Sequence, residues 1–200
     1  MAKCARCGET KGDRFCPRLK ASLCSLCCGT KREKEILCVE ACEYLKKGKD
    51  YQLNREIEKR ISSDLQGETA DVFEMDEAAT FAMTLERFFI DEFYRDQEMS
   101  DLRIVEALTK IYAFQKRMIP APAGENRAEE LIVKKFLEMN RKFSNLSDEL
   151  KARTILRVIK SIRSSSGGAL GGRNYLEMIY SQHTGKGKWA ELFQKLESEG

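Results

Sequence analysis

The amino-acid sequence predicts a mainly α protein in which a small N-terminal cysteine-rich module precedes an all-α helical bundle. Three observations carry this reading. All eight cysteines lie within the first 42 of 200 residues. From residue 51 onward, apolar side chains recur at intervals of three and four, the period of a helix face. No strand-like alternation appears after residue 45. The expected organisation is a module over 1–45 and a helical domain over 46–200, with a break at 119–125 and a flexible link at 164–173.

Composition bounds the class. Hydrophobic residues make up 42% of the chain, enough for a core and against wholesale disorder. No apolar run approaches the roughly 18 residues of a membrane span. The opening "MAKCARCGET" lacks the apolar stretch of a signal peptide. The expectation is a cytoplasmic protein with no membrane partner, in a reducing setting that disfavours disulfides. The formal net charge of +3 conceals three blocks: +6 over residues 1–60, −10 over 61–101 and +7 over 102–200.

The cysteines read C4-x2-C7, then C16, then C24-x2-C27-C28, then C38-x3-C42. A Cys-x2-Cys pair can place two thiolates on one metal, as in structural zinc sites. Cys4, Cys7, Cys16, Cys24, Cys27, Cys28, Cys38 and Cys42 together make two complete four-cysteine tetrahedra, so two Zn²⁺ ions are expected. Adjacent residues point their side chains apart, which assigns Cys27 and Cys28 to different ions. In a cross-braced arrangement Cys4, Cys7, Cys24 and Cys27 hold one zinc, and Cys16, Cys28, Cys38 and Cys42 hold the other. Exchanging Cys27 and Cys28 satisfies the spacing almost as well.

Other metal chemistries fit less well. The spacing lacks the C-x2-C-x2-C run of ferredoxins. A catalytic zinc keeps an open position and usually uses histidine, and the single histidine, His183, is far along the chain. With eight thiolates and two Zn²⁺ the charge of residues 1–60 falls from +6 to about +2. Lys31, Arg32 and Lys34 then read as offsetting sulfur charge.

The order C-x2-C, "FCP", then "CSLCC" followed by a basic "GTKR" turn resembles the double-zinc HIT-type fingers and their B-box-like relatives. The likeness covers residues 1–42. Leu19 stands where a second partner of Cys16 is usual, a role Cys28 can supply, and Cys38 stands where such fingers often use histidine. The resemblance implies a finger that supports protein–protein assembly, often around ribonucleoprotein complexes, without catalysis.

The rest of the chain reads as helices. "YQLNREIEKRI" sets Leu53, Ile57 and Ile61 four apart. "DVFEMDEAATFAMTLERFFIDEFY" carries Phe81, Leu85, Phe88, Phe89 and Phe93 as a packing stripe. Ser100 caps a helix that continues through Leu108, Ile111 and Tyr112. "IPAPAGEN" breaks it, because Pro120 and Pro122 remove donors and disfavour helix before them. A further helix is expected at about 126–143. Ser147 caps the next, with Asp148 and Glu149 suited to the helix dipole, to about 161–163. The glycine-rich "SSSGGALGGRN" leads to short helices around 174–182 and 188–197. "GGALGGRN" approaches the P-loop pattern, but it has Arg173 and Asn174 in place of the lysine and hydroxyl, and a helix rather than a strand precedes it. A link is the expected role.

"KARTILRVIKSIR" puts Ala152, Ile155, Leu156, Ile159 and Ile162 on one face. Arg153, Arg157 and Lys160 line another, and with Arg163 and Arg173 they form the candidate nucleic-acid-binding set. The acidic 61–101 block is an internal counterpart for the same charges. No catalytic constellation is visible: His183 lies on a polar segment and reads as a surface residue. The function expected is non-enzymatic: a zinc-binding adaptor or scaffold for a protein partner, with no small-molecule substrate. The alternatives are direct RNA or DNA binding through the basic helices and a thiol redox sensor. Replacing Arg153, Arg157 and Lys160 together by glutamine separates the first two. Phosphate contacts would weaken binding and lower the salt slope by about 2 to 3. Pairing with the acidic block, the expected outcome, leaves nucleic-acid affinity unchanged in a filter-binding assay.

Overall fold

The computed structural model describes residues 2–67, 70–191 and 194. The chain forms two compact units, one ending at Lys59 and the other beginning at Arg60. Mainly helical architecture with an N-terminal cysteine cluster is what the periodicity and cysteine placement anticipated.

The first unit opens with a small hairpin, β1 (Arg14–Cys16) antiparallel to β2 (Ala21–Leu23), in the register Arg14 to Leu23, Phe15 to Ser22 and Cys16 to Ala21. Side chains alternate across a strand, so Cys16 and Leu23 go inward while Phe15 faces out. The chain turns between the strands with Lys20 in the left-handed region at φ 49°. A seven-residue helix α1 (Ser25–Lys31) follows, and then α2 (Glu43–Gln66), which crosses the division at Lys59. The core of this unit is small. Cys4, Cys16, Leu23, Cys24, Cys27 and Ile36 are buried together, with half-buried Cys28 and Cys38 against them.

The second unit contains a short 3-10 helix (Ala70–Glu74), α3 (Asp76–Phe93), α4 (Asp101–Gln115), α5 (Arg127–Lys142), α6 (Asp148–Ser165) and α7 (Asn174–Thr184). Local chemistry sets the starts. Ser100, Asn126 and Ser147 each accept a hydrogen bond from the backbone N–H three residues on, satisfying a donor the helix cannot. The apolar segment 71–94 is not continuous helix: the 3-10 turn ends at Glu74 and α3 starts afresh at Asp76. The helix expected at 188–197 lies largely outside the described residues.

α4 packs against α5 and α6, and α3 packs against α6 and α7. Ala152, Ile155, Leu156, Ile159 and Ile162 are all buried, as the periodicity required. Lys151, Thr154 and Val158 are buried too, so α6 is enclosed on most of its circumference. Lys151 meets its needs by donating to the Asn140 side-chain oxygen at 2.7 Å.

The glycine-rich segment after α6 is tied to the start of α4. Asp101 N–H donates to the Gly172 carbonyl at 3.0 Å and Leu102 N–H to the Leu170 carbonyl at 2.7 Å. Gly167 and Gly168 take φ of 57° and 85°, conformations open to a residue without Cβ. The carboxylate of Asp101, fully buried, then accepts from the Ser166 hydroxyl and Tyr175 N–H at 2.9 Å each and from Leu176 N–H at 3.3 Å. Arg173, at the N-cap position of α7, makes no side-chain cap; Asp101 does that work from 74 residues away.

Two predictions follow from these buried polar contacts. Asp101→Ala leaves two helix N–H groups without an acceptor, while the Ser166 hydroxyl keeps the Ile162 carbonyl at 2.8 Å, and should cost about 3 kcal/mol or more in urea unfolding. Asp101→Asn, keeping one acceptor oxygen, should fall between the two. The second concerns Asp64, which accepts the Tyr112 hydroxyl at 2.5 Å. Burial raises its carboxyl, but Tyr112, Lys116 and Arg60 outweigh burial and hold it below the ordinary range. A depressed carboxyl contributes stability above its unfolded value of about 3.9 and loses it as pH falls through the lower folded value. Asp64→Asn should therefore destabilise at neutral pH, with the gap closing toward about pH 2. A gap independent of pH would contradict the depressed carboxyl.

Candidate metal centre

Two chain segments build the centre. In the first, Cys4 N–H donates to the Thr10 carbonyl and Gly8 N–H to the Cys4 carbonyl, both at 2.8 Å, closing a tight turn around Cys4 and Cys7. Gly8 sits at φ 70°, the left-handed conformation this turn needs immediately after its second cysteine. Ala5 N–H donates to the Ser22 carbonyl at 2.9 Å and pins the turn to the hairpin. In the second, Cys24 is the N-cap of α1 and its sulfur accepts the Cys27 N–H at 3.3 Å. Both Cys-x2-Cys pairs thus curl so that their sulfurs converge.

The sulfurs of Cys4, Cys7, Cys24 and Cys27 all lie within 4.8 Å of one another. A tetrahedral ion with bonds of about 2.3 Å to thiolates separates its ligands by about 3.8 Å, so the quartet closes onto one zinc with little adjustment. Cys4, Cys24 and Cys27 are buried and Cys7 is exposed. All eight cysteines are free thiols.

The electrostatics fit a cation. Hydrogen bonds from the Thr10 side chain and backbone draw the Cys7 thiol down to about 6. Thr10, followed by the Cys27 backbone, lowers Cys24 as well. Cys27 goes the other way, pushed up to about 12 by its contact with Cys24 and by burial. Four sulfurs this close cannot all carry charge on their own, because each thiolate disfavours the next. A divalent ion at their centre removes that conflict.

Of the two arrangements the spacing left open, the quartet gathered is the one with Cys27, and not Cys28, facing the first pair. The structure does not gather Cys16, Cys28, Cys38 and Cys42 in the same way. Among the described residues the first quartet is the one group of histidine, cysteine or carboxylate ligands at metal-holding distance. Cys16 is buried on the inner face of β1, Cys28 and Cys38 are half-buried against the cluster that contains it, and Cys42 is buried in the turn that opens α2. Arg32 reaches to 3.9 Å from the Cys28 sulfur, consistent with a basic run that answers sulfur charge. It can do so because residue 48 is glycine: a Cβ there would meet the Arg32 guanidinium at 1.7 Å. Lys31 instead pairs with Glu35 at 2.7 Å.

The candidate nucleic-acid set is spread over different surroundings. Arg157 lies over the Phe73 ring at 5.4 Å and donates to Ser161. Arg173 stacks on Phe93 at 4.0 Å and donates to its carbonyl and to Gln97. Arg153 lines a cavity with Asp64 and Lys116. Arg163 is half-buried, and Lys160 is the one exposed member. His183 is exposed, 4.0 Å from Glu86. Sequence reading missed Thr10, whose position three residues after Cys7 is the signal that could have found it.

Comparison with known protein families, curated proteins and solved structures finds no match to this chain. The finding that stands is a four-cysteine cluster able to hold a metal, ahead of a helical unit. No helix among the described residues is long and apolar enough to cross a membrane.

Replacing Cys4, Cys7, Cys24 or Cys27 singly by serine should remove one equivalent of bound metal, measured by elemental analysis. A strong chelator should unfold the cysteine module while leaving the helical signal from residue 60 onward largely intact, because metal supplies about 10–16 kcal/mol to such small sites. Loss of both in a single transition would mean that the module belongs to the core of the bundle.

Proposed function

We propose that the protein is a non-enzymatic, zinc-stabilised adaptor that presents its cysteine module to a protein partner in the reducing cytoplasm. The observation that carries this is an inversion of the usual apolar distribution. Apart from cysteines, only Leu23 and Ile36 belong to the module's buried cluster. Phe15, Leu26 and Leu37 are 60%, 71% and 70% exposed. Three large apolar side chains held outward in so small a module support reading it as an interaction surface. Four protein ligands fill a zinc's coordination and leave no position for substrate, which supports binding over catalysis. Arg157 and Arg173 stack on Phe73 and Phe93, which supports a protein partner over nucleic acid on the basic helices.

The same reading assigns a second zinc to Cys16, Cys28, Cys38 and Cys42. Cys28 and Cys38 already pack against the cluster that contains Cys16, and the four use every remaining thiol. Metal analysis should give two zinc ions per chain; a ratio of one would remove the second site.

The adaptor reading is tested by Leu26→Glu with Leu37→Glu. Both side chains are exposed, so metal content and helicity should be unchanged. Proteins copurified with the tagged wild-type chain from its own cells should be lost from the variant. Retention of the same set would overturn this surface as the docking site.

A further inference from the structure

The loop from Ala2 to Gly12 holds its two cysteines in different ways. Its ends are locked to each other: Lys3 bridges Lys11, and Gly12 N–H donates to the Ala2 carbonyl at 3.0 Å. Inside this frame Cys4 N–H donates to the Thr10 carbonyl at 2.8 Å, and Cys4 is buried. Cys7 is exposed, and of the four sulfurs that converge it belongs to the one residue open to solvent.

A single side chain meets that sulfur. The Thr10 hydroxyl lies 3.2 Å from Cys7 Sγ. Among the described residues it is the one side-chain hydroxyl, amide or charged group in hydrogen-bond contact with a sulfur of the quartet. A metal-bound thiolate carries no proton, so on a loaded site the hydroxyl can only donate. Thr10 is well placed for this. Its carbonyl is held by Cys4 N–H, and its β-branched side chain has few rotamers to choose from. One residue thus grips both cysteines of the first pair, Cys4 through the backbone and Cys7 through the side chain. The second pair has no such need. Cys24 opens α1, its sulfur accepts the Cys27 N–H at 3.3 Å, and both residues are buried.

A ligand open to solvent is the one that water or a competing thiol can reach. Groups that hydrogen-bond a metal ligand from outside orient it, and losing one typically costs about 10–100-fold in metal affinity. We propose that Thr10 is a positioning residue of the metal centre, whose hydroxyl holds the exposed Cys7 sulfur in the quartet, and that Cys7 is the ligand that detaches first. This role rests on the reading of Cys4, Cys7, Cys24 and Cys27 as a zinc site. It is independent of a second zinc and of the adaptor reading.

The test compares the zinc-loaded full chain with Thr10→Val, which keeps the shape and the backbone carbonyl but removes the hydroxyl, and with Thr10→Ser, which restores it. Each protein is exposed to limiting iodoacetamide, and labelling is mapped to individual cysteines by mass spectrometry. Within the quartet, Cys7 should be labelled first in the wild-type chain. In Thr10→Val its labelling should be about tenfold faster, and zinc affinity measured by chelator competition about tenfold weaker, at the low end of the range for such partners. Thr10→Ser should return both to near the wild-type values. A loosened loop would speed Cys4 along with Cys7, whereas a lost hydroxyl speeds Cys7 alone. The role is overturned if Cys4, Cys24 or Cys27 is labelled as fast as Cys7 in the wild-type chain, if Thr10→Val matches wild type, or if Thr10→Ser is no better than Thr10→Val. Cys4→Ser separates this failure from that of the site. If its zinc content equals that of wild type, the quartet holds no zinc and both readings fall; if it is one equivalent lower while Thr10→Val behaves as wild type, the role of Thr10 falls alone.

Discussion

Four sulfurs held within 4.8 Å of one another are the constraint on which the first unit depends. Its buried cluster contains just two apolar residues that are not cysteines, Leu23 and Ile36. A core of that size is far below what a chain of some sixty residues needs to fold alone. The strands are three residues long and α1 is seven, too short to persist without tertiary support. The knuckle turns, the hairpin and α1 are arranged so that the sulfurs meet, and a cation at that meeting point would supply what burial does not. Once folding no longer depends on apolar burial, Phe15, Leu26 and Leu37 are free to stay outside.

The helical unit is held by the opposite means. Fully buried Phe81, Leu85, Phe89, Leu108, Ile111, Phe136, Ile155 and Ile159 give it a core that needs no metal. Its specificity comes from a few buried polar groups. Asp101 joins the start of α4 to the end of α6 and the start of α7. Shifting any of these helices would strand N–H groups in a dry interior, at a cost the apolar contacts could not recover. Tyr175, whose N–H it accepts, carries its hydroxyl to Glu86 on α3 at 2.6 Å. One carboxylate and one tyrosine thus place four helices.

What could be read from the sequence was what acts locally or periodically. Ser100 and Ser147 were legible as caps because the group they accept from is three residues away. The apolar face of α6 was legible because one period describes it. That Cys27 and Cys28 would part followed from a short-range fact, that adjacent side chains cannot point the same way; which of them joins Cys4, Cys7 and Cys24 did not. The hairpin was hidden because three-residue strands show no alternation. The interruption at Met75 has no proline or glycine to announce it. Asp101 was hidden for a different reason: within its own helix it is only a first-turn acid, and its partners lie 65 to 75 residues further on. The basic stripe on α6 was read correctly as charge but not as surroundings, since sequence carries no sign that Phe73 would lie under Arg157.

Asp101 and Glu149 show how one chemistry serves opposite ends. Both are carboxylates at or near a helix start, and both make more than one hydrogen bond. Asp101 is fully enclosed and accepts two backbone N–H groups at the start of α7 that have no water to turn to, so its contacts are structural. Glu149 meets a lysine at comparable distances, but from a side chain mostly in water, where solvent can replace its partner at little cost. The distances alone do not separate the two. Burial does, because it sets what each group would lose by letting go. The contacts that are costly to break are the ones that keep α4, α6 and α7 in place.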